Sequence, residues 1–88
     1  FSMSTNTIID MKLIIYSPEK TVFEGEVNVC EVPGTKGRFT ILKDHDSIIT
    51  TLQAGNIRYD VDGEEVLQPV KSGYVEVHKN VISACVHL

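Results

Sequence analysis

Most of this chain consists of short segments rich in β-branched residues, separated by Gly, Pro, Asn or Asp at intervals of roughly 8 to 12 residues. This pattern is compatible with few folds. The clearest case is the stretch NIRYDVDGEEVLQPV, in which Ile57, Tyr59 and Val61 alternate with polar residues. Such alternation is typical of a half-buried strand, and Asp62 with Gly63 supplies the positive φ angles of a two-residue turn. The sequence therefore predicts a β-hairpin here.

A second hairpin is predicted near the end of the chain. In GYVEVHKNVISACVHL, Val75 and Val77 alternate with polar or aromatic residues, and Lys79 with Asn80 can form the turn. Two hairpins within a chain rich in β-branched residues indicate an all-β sandwich or barrel.

The first half of the chain predicts further strands. The stretch MKLIIYSPEKTVFEGEVNVCEVPG indicates a strand from Met11, a turn at 17–20, a short strand around Val22 and a strand from Val27 to Val32. Apolar residues within 41–52 also fit helical spacing. Because β-branched side chains lose rotamer freedom in a helix, we favour strand, loop, strand for that segment.

Length and charge argue against several classes of protein. A chain of 88 residues forms one domain and buries only roughly 60 to 65% of the surface that its unfolded form exposes. A deep substrate cavity would weaken so small a core, so a binding or structural module is expected. The net charge of -4 comes from scattered residues, and without a basic face nucleic acid is not expected as a partner.

The cysteines and histidines leave a metal-binding or ligand-binding module as an alternative. Cys30 and Cys85 are the two cysteines, which fits free thiols in a reducing compartment better than a disulfide framework. With His78 and His87 they could form a soft ligand set, but the spacing lacks a zinc signature. Free thiols are the favoured interpretation.

The stretch PGTKGRFTILKDHDSII suggests a phosphate-binding loop but does not match one. Lys36 lies between Gly34 and Gly37 and Arg38 follows, whereas a phosphate-binding loop places Lys and then Ser or Thr after its last glycine. The two glycines are therefore predicted to shape a turn.

His45 is flanked by Asp44 and Asp46, which suggests a metal site or a small hydrolase. In an extended chain, however, neighbouring side chains point to opposite faces, so His45 cannot share a site with both aspartates without a sharp turn. No glycine-framed nucleophile is present, and a hydrolase would need a concave pocket at His45. No catalytic residue is predicted.

Four ordered stretches resemble a known family: MKLIIYSPEKTVFEGEV, PGTKGRFTIL with His45 after it, LQAGNIRY, and SGYVEVHKNVISACV. Together they resemble the amino-terminal β-sandwich domain of the epsilon subunit of rotary F-type ATP synthases, called delta in mitochondria. The resemblance runs from about Met11 to Leu88. It implies a flattened antiparallel sandwich of about ten strands, with 1–10 as a disordered or expression-derived segment.

The resemblance implies a mechanical role for the chain. It would be a non-catalytic rotor subunit in the central stalk, holding the gamma subunit to the membrane c ring within the synthase complex for ion-driven ATP synthesis. No cofactor and no metal is implied, and the subunit would lie peripherally at the cytoplasmic face of the bacterial inner membrane. Because the resemblance ends before the family's helical carboxy-terminal domain, we expect these residues not to carry that domain's inhibition of hydrolysis.

The resemblance also implies two contact sites, assigned residue by residue. The segment expected to face gamma comprises His45, Ile48, Ile49 and Thr50. The loop expected to approach the c ring comprises Gly34, Thr35, Lys36, Gly37, Arg38 and Phe39. The chain departs from the family's pattern at Arg38, often acidic in relatives, and at 43–47, where two prolines are absent.

Overall fold

The computed structural model describes residues 11–42 and 47–88, and every regular element in that part of the chain is a strand. The expectation for 1–10 lies outside the described residues. The all-β fold class is confirmed, with nine described strands against about ten expected. The strands are β1 (Met11–Tyr16), β2 (Thr21–Val27), β3 (Cys30–Gly34), β4 (Gly37–Ile41), β5 (Ile48–Leu52), β6 (Gly55–Val61), β7 (Glu64–Val70), β8 (Ser72–His78) and β9 (Val81–His87).

The strands form one curled sheet. Their spatial order is β2-β1-β9-β8-β5-β3-β6-β7, with β4 also paired to β3. Of the described strand pairs, β1 with β9 is parallel and the others are antiparallel. The sheet folds back on itself so that β2 contacts β6, where the rings of Phe23 and Tyr59 have centroids 4.6 Å apart. The fold therefore encloses an apolar core between its two halves.

Alternate residues of each strand fill that core. On β1, Leu13 and Ile15 are fully buried while Lys12 between Met11 and Leu13 is exposed, and β8 and β9 show the same period of two. No polar or charged side chain within 11–42 and 47–88 is buried. Besides Pro33, the buried side chains are those of Met11, Leu13, Ile15, Val27, Cys30, Val32, Ile41, Leu52, Ile57, Tyr59, Val70, Val75, Val77, Ile82, Ala84 and Val86.

Both predicted hairpins are confirmed. Asp62 and Gly63 turn between β6 and β7 with φ angles of 53° and 83°, and Lys79 and Asn80 turn between β8 and β9 with φ angles of 51° and 64°. Two successive positive φ angles match the type I′ turn, whose twist suits the twist of paired strands. The predicted turn at 17–20 is also present.

The single strand predicted from Val27 to Val32 is wrong, because the chain changes partners there. Strand β2 ends at Val27, which pairs with Met11 of β1, and β3 begins at Cys30, which pairs with Tyr59 of β6. Residues 28 and 29 carry the chain from one half of the curled sheet to the other. The strands predicted at the two ends of 41–52 agree with β4 ending at Ile41 and β5 starting at Ile48, and most of the loop predicted between them lies outside the described residues.

Candidate interaction surfaces

The turn between β3 and β4 is shaped by its two glycines, as predicted. Gly34 pairs with Gly37, and Thr35 and Lys36 form the exposed tip. A Cβ atom at Gly34 would lie only 2.8 Å from the carbonyl oxygen of Gly37, and Gly37 has a φ of +125°. Side chains at these positions would clash or strain the backbone.

This turn is bonded to β5. The Thr35 amide donates to the Thr51 carbonyl over 3.0 Å, the Gln53 amide donates to the Pro33 carbonyl over 2.9 Å, and Gly34 pairs with Leu52. The hydroxyl oxygens of Thr35 and Thr51 lie 2.8 Å apart. The loop assigned to the ring and the strand assigned to gamma are thus adjacent.

Arg38, on β4, forms part of an ion-pair network with charged residues of β3 and β6. Its guanidinium donates to Glu31 Oε1 over 3.3 Å and to the carbonyl of Asn56 over 3.1 Å. Arg58 donates to the same Glu31 oxygen over 2.9 Å and lies 3.5 Å from Glu65. The Arg38 charge is therefore already compensated by a carboxylate of its own chain.

The two arginines shift the titration of Glu31. Hydrogen bonds from Arg58 first, and from Arg38 second, hold the pKa of the Glu31 carboxyl below its ordinary value, while Glu31 raises the pKa of Arg58. Sequence reasoning missed this network because it joins Glu31 on β3 to Arg58 on β6, a strand that does not follow β3 in the chain, whereas Arg38 lies on the neighbouring strand β4. The cross-strand register of Glu31 with Arg58 is the signal that reveals it.

We expect Glu31→Gln to remove a pH-dependent part of the stability. Because the folded pKa of Glu31 is depressed, its stabilising contribution is present above the unfolded pKa of about 4.3 and is lost as the pH falls through the folded value. The denaturant midpoint of Glu31→Gln should lie below that of the wild type at pH 7, and the gap should close as the pH falls below the unfolded value. Glu19→Gln, at a turn carboxylate outside the described ion pairs, is the control and should leave the denaturant midpoint at pH 7 close to that of the wild type. A constant gap for Glu31→Gln at all pH values would contradict this account.

Strand β5 divides its residues between two faces. Ile48 packs against the core, Ile49 on the opposite face is 72% exposed, and Thr50, half-buried, lies on the same face as Ile48. His45 lies outside the described residues. Of the predicted gamma-facing residues in the described chain, Ile49 is the one that presents a large apolar surface.

Ile49 belongs to a wider exposed surface formed by β5, β8, β9 and β1. Tyr74 is 44% exposed and pairs with Cys85, which pairs with Tyr16 on the parallel strand β1. A hydrogen bond with Tyr74, followed by partial burial, raises the pKa of the Tyr16 phenol. We call Ile49, Tyr74, Cys85 and Tyr16 the outer face. Its tyrosines were not singled out from the sequence, although their alternation with the buried Val75 and Ile15 marks them as outward-facing.

An open depression lies at the edge of the outer face. Its volume is about 350 Å³, and the Oγ atom of Ser47 lies 3.2 Å from Nδ1 of His78 beside it. The lining residues are Ser47, Ile48, Ile49, Glu76, Val77 and His78. An exposed isoleucine beside a concave surface suits docking of a protein side chain.

The residues of the alternative metal site lie in different environments. Cys30 is fully buried in the core, Cys85 is half-buried on the outer face, and both thiols are free. His78 and His87 are exposed at the ends of β8 and β9. Across 11–42 and 47–88, no three His, Cys, Asp or Glu side chains are grouped closely enough to hold a metal ion.

The two thiols should differ in reactivity. Burial first, and the charge of Glu31 second, raise the pKa of Cys30 to about 12. Because the thiolate is the reactive form, iodoacetamide at mildly alkaline pH should label Cys85 in the folded protein and Cys30 only after denaturation. Mass spectrometry of the labelled peptides checks this. Equal labelling of both residues in the native state would show that the core is not packed as described.

Comparison with known proteins identifies the family of this sandwich. Residues 10–87 match the family described as ATP synthase, Delta/Epsilon chain, beta-sandwich domain. The ATP synthase epsilon chain of Dehalococcoides mccartyi is 39% identical over 67 residues, covering 76% of this chain and 48% of the relative. That of Leptospira interrogans is 36% identical over 81 residues, covering 92% and 61%. The chain therefore spans about half to three-fifths of the length of these curated relatives.

Solved structures share the fold at lower identity. A chain of the Euglena gracilis mitochondrial ATP synthase superposes with a TM-score of 0.83 at 13% identity, over 98% of this chain and 59% of that one. A chain of the Tetrahymena thermophila central stalk and c ring gives 0.75 at 15% identity, over 90% and 64%. Among the described residues there is no helix of a length and hydropathy that could cross a membrane. The family match over 10–87, together with the curated relatives, shows that the chain belongs to the β-sandwich domain family of ATP synthase delta and epsilon chains.

Proposed function

We propose that this chain is a structural rotor component of an F-type ATP synthase, holding the gamma subunit to the c ring. The observation that carries the proposal is the family match, which covers the complete described sandwich. The Tetrahymena chain with the same fold comes from a structure of the central stalk and c ring. In this role the chain performs no chemistry itself. It supports ion-driven ATP synthesis by keeping the gamma subunit and the c ring connected.

The outer face is proposed as the surface that binds gamma. Ile49 is exposed there on a strand that is fixed between β3 and β8, and the depression beside it can receive a side chain. Ile48 and Thr50 support this surface from the inner side of the strand. The assignment of His45 to the same interface stays a prediction.

The turn formed by residues 34–39 is proposed as the surface that meets the polar loops of the c ring. Lys36 stands at its exposed tip and has no ion pair within the described ranges. Arg38, in contrast, is held by Glu31 and by the backbone of Asn56. We therefore assign the charged contact with the ring to Lys36, with Arg38 stabilising the base of the turn.

The same role implies a place in the cell. As part of a bacterial synthase, the chain would lie peripherally at the cytoplasmic face of the inner membrane, attached through gamma and the ring. The bacterial origin of the relatives at 36 to 39% identity supports this location.

Reconstitution tests the proposed role. A bacterial F-type synthase depleted of its epsilon chain is supplied with this chain, and ATP-driven proton pumping into vesicles is measured. We expect pumping to recover to the level given by the equivalent sandwich domain of the relative's epsilon chain. If the relative's domain restores pumping and this chain, correctly folded, does not, the proposed function is wrong.

A further inference from the structure

We propose that Thr35 and Thr51 are positioning residues that fasten the ring-facing turn to the gamma-facing strand β5. The proposal rests on the proposed function, because it concerns how the two contact surfaces are held relative to each other. It assigns a mechanical role to one pair of threonines. A mechanical force on the ring-facing turn would be transmitted through Thr35 and Thr51 to β5, the strand that carries Ile49.

The pairing of β3 with β5 is sparse and lies at a critical position. In the order of strands, β5 and β3 are the neighbours that join the half β2-β1-β9-β8-β5 to the half β3-β6-β7. Gly34 with Leu52 is the one residue pair of that ladder among the described residues. The bonds that Thr35 makes beyond the end of β3 therefore form a large share of this connection.

Thr35 is held at two points by a single residue. Its amide donates to the Thr51 carbonyl, and its hydroxyl oxygen lies 2.8 Å from that of Thr51. Two bonds to one partner restrict both the position and the rotation of the residue, whereas one bond would leave it free to pivot. The nearby Gly37, at a φ of +125°, offers little resistance to pivoting because glycine has no Cβ.

Strand β5 is in turn anchored on its other side. Thr51 pairs with Tyr74 of β8, and Ile49 lies two residues away along the same strand. A rigid path therefore runs from the tip of the turn through Thr35 and Thr51 to the outer face. Because both threonines are exposed and a neutral hydrogen bond contributes only modestly to stability, the pair orients the turn more than it stabilises the fold.

The substitution Thr51→Val removes the hydroxyl with little change in shape, at a residue outside the ring-facing turn. We expect the affinity of the chain for a purified c ring to fall about three- to tenfold, as for loss of one exposed hydrogen bond. Amide hydrogen exchange at Thr35 should accelerate by a similar factor. The denaturant midpoint should fall only slightly, because one exposed neutral hydrogen bond contributes modestly to stability.

Two matched variants keep the test specific. Thr51→Ser retains a hydroxyl and should recover ring affinity and Thr35 amide protection. Thr40→Val, at an exposed threonine on β4, makes the same chemical change away from the junction and should have no effect. All three variants are compared by amide exchange and by ring capture.

Each outcome decides between the two proposals. If the wild-type chain binds neither gamma nor the ring, the proposed function fails. If the wild type binds both and Thr51→Val binds the ring as tightly as the wild type, the positioning role alone is wrong. Unchanged amide exchange at Thr35 in Thr51→Val, or no rescue of ring affinity by Thr51→Ser, would likewise overturn the positioning role.

Discussion

Gly73→Ala is expected to lower the free energy of unfolding by roughly 3 kcal/mol, through backbone strain and a steric clash together. Gly73 has a φ of +148°, and a Cβ atom there would lie 2.2 Å from the carbonyl oxygen of Cys85 and 2.9 Å from Cα of Val86. These atoms belong to the backbone of β9 and cannot rotate away. For a domain of this size, such a loss corresponds to a fall of roughly 15 °C in melting temperature, which differential scanning calorimetry measures directly.

Gly63→Ala distinguishes the effect of backbone strain from that of a steric clash. Gly63 also has a positive φ, of +83°, but a Cβ atom there would have no neighbouring atom within 4 Å, so the substitution adds strain without a clash. We expect it to cost about 1 kcal/mol. Equal destabilisation by the two substitutions would contradict the close approach of β8 and β9 at Gly73.

Ile49→Asp is expected to weaken binding to gamma by about thirtyfold or more, corresponding to loss of a central apolar contact worth about 2 kcal/mol. Ile49 is 72% exposed and contributes nothing to the core, so its replacement should leave the fold intact. A buried carboxylate at the interface would also be desolvated without a partner. Titration calorimetry with purified gamma measures the effect, and circular dichroism verifies the fold.

Leu67→Asp provides the matched control. Leu67 is 54% exposed on β7, at the far edge of the sheet from the outer face, and undergoes the same change from apolar to charged. Its gamma affinity should equal that of the wild type. If Ile49→Asp binds gamma normally, or if Leu67→Asp weakens binding as much, the outer face is not the gamma interface.

Local sequence patterns predicted the parts of the fold that neighbouring residues determine. The alternation of Ile57 and Tyr59 and the turn at Asp62 and Gly63 identify a hairpin because its pairing is short-range and its turn chemistry is specific. The break after Val27 was missed because it reflects a change of partner between distant strands, which no local pattern records.

The candidate surfaces were predictable to a smaller extent. The resemblance singled out β5 and the glycine turn, but the face on which Ile49 emerges depends on the pairing of β5 with β8. The contacts of Thr35 with Thr51 and of Arg58 with Glu31 also join strands that do not follow one another in the chain. Such side-chain contacts follow from register, and register between distant strands is set by the whole sheet.

Direct binding to gamma tests the central claim most sharply. The chain is passed at increasing concentration over immobilised gamma, with the sandwich domain of a relative's epsilon chain as the positive control. We expect saturable retention at one chain per gamma, with displacement by the relative's domain because both occupy the same site. No retention of the folded chain, under conditions in which the relative's domain is retained, would contradict its assignment as a rotor component.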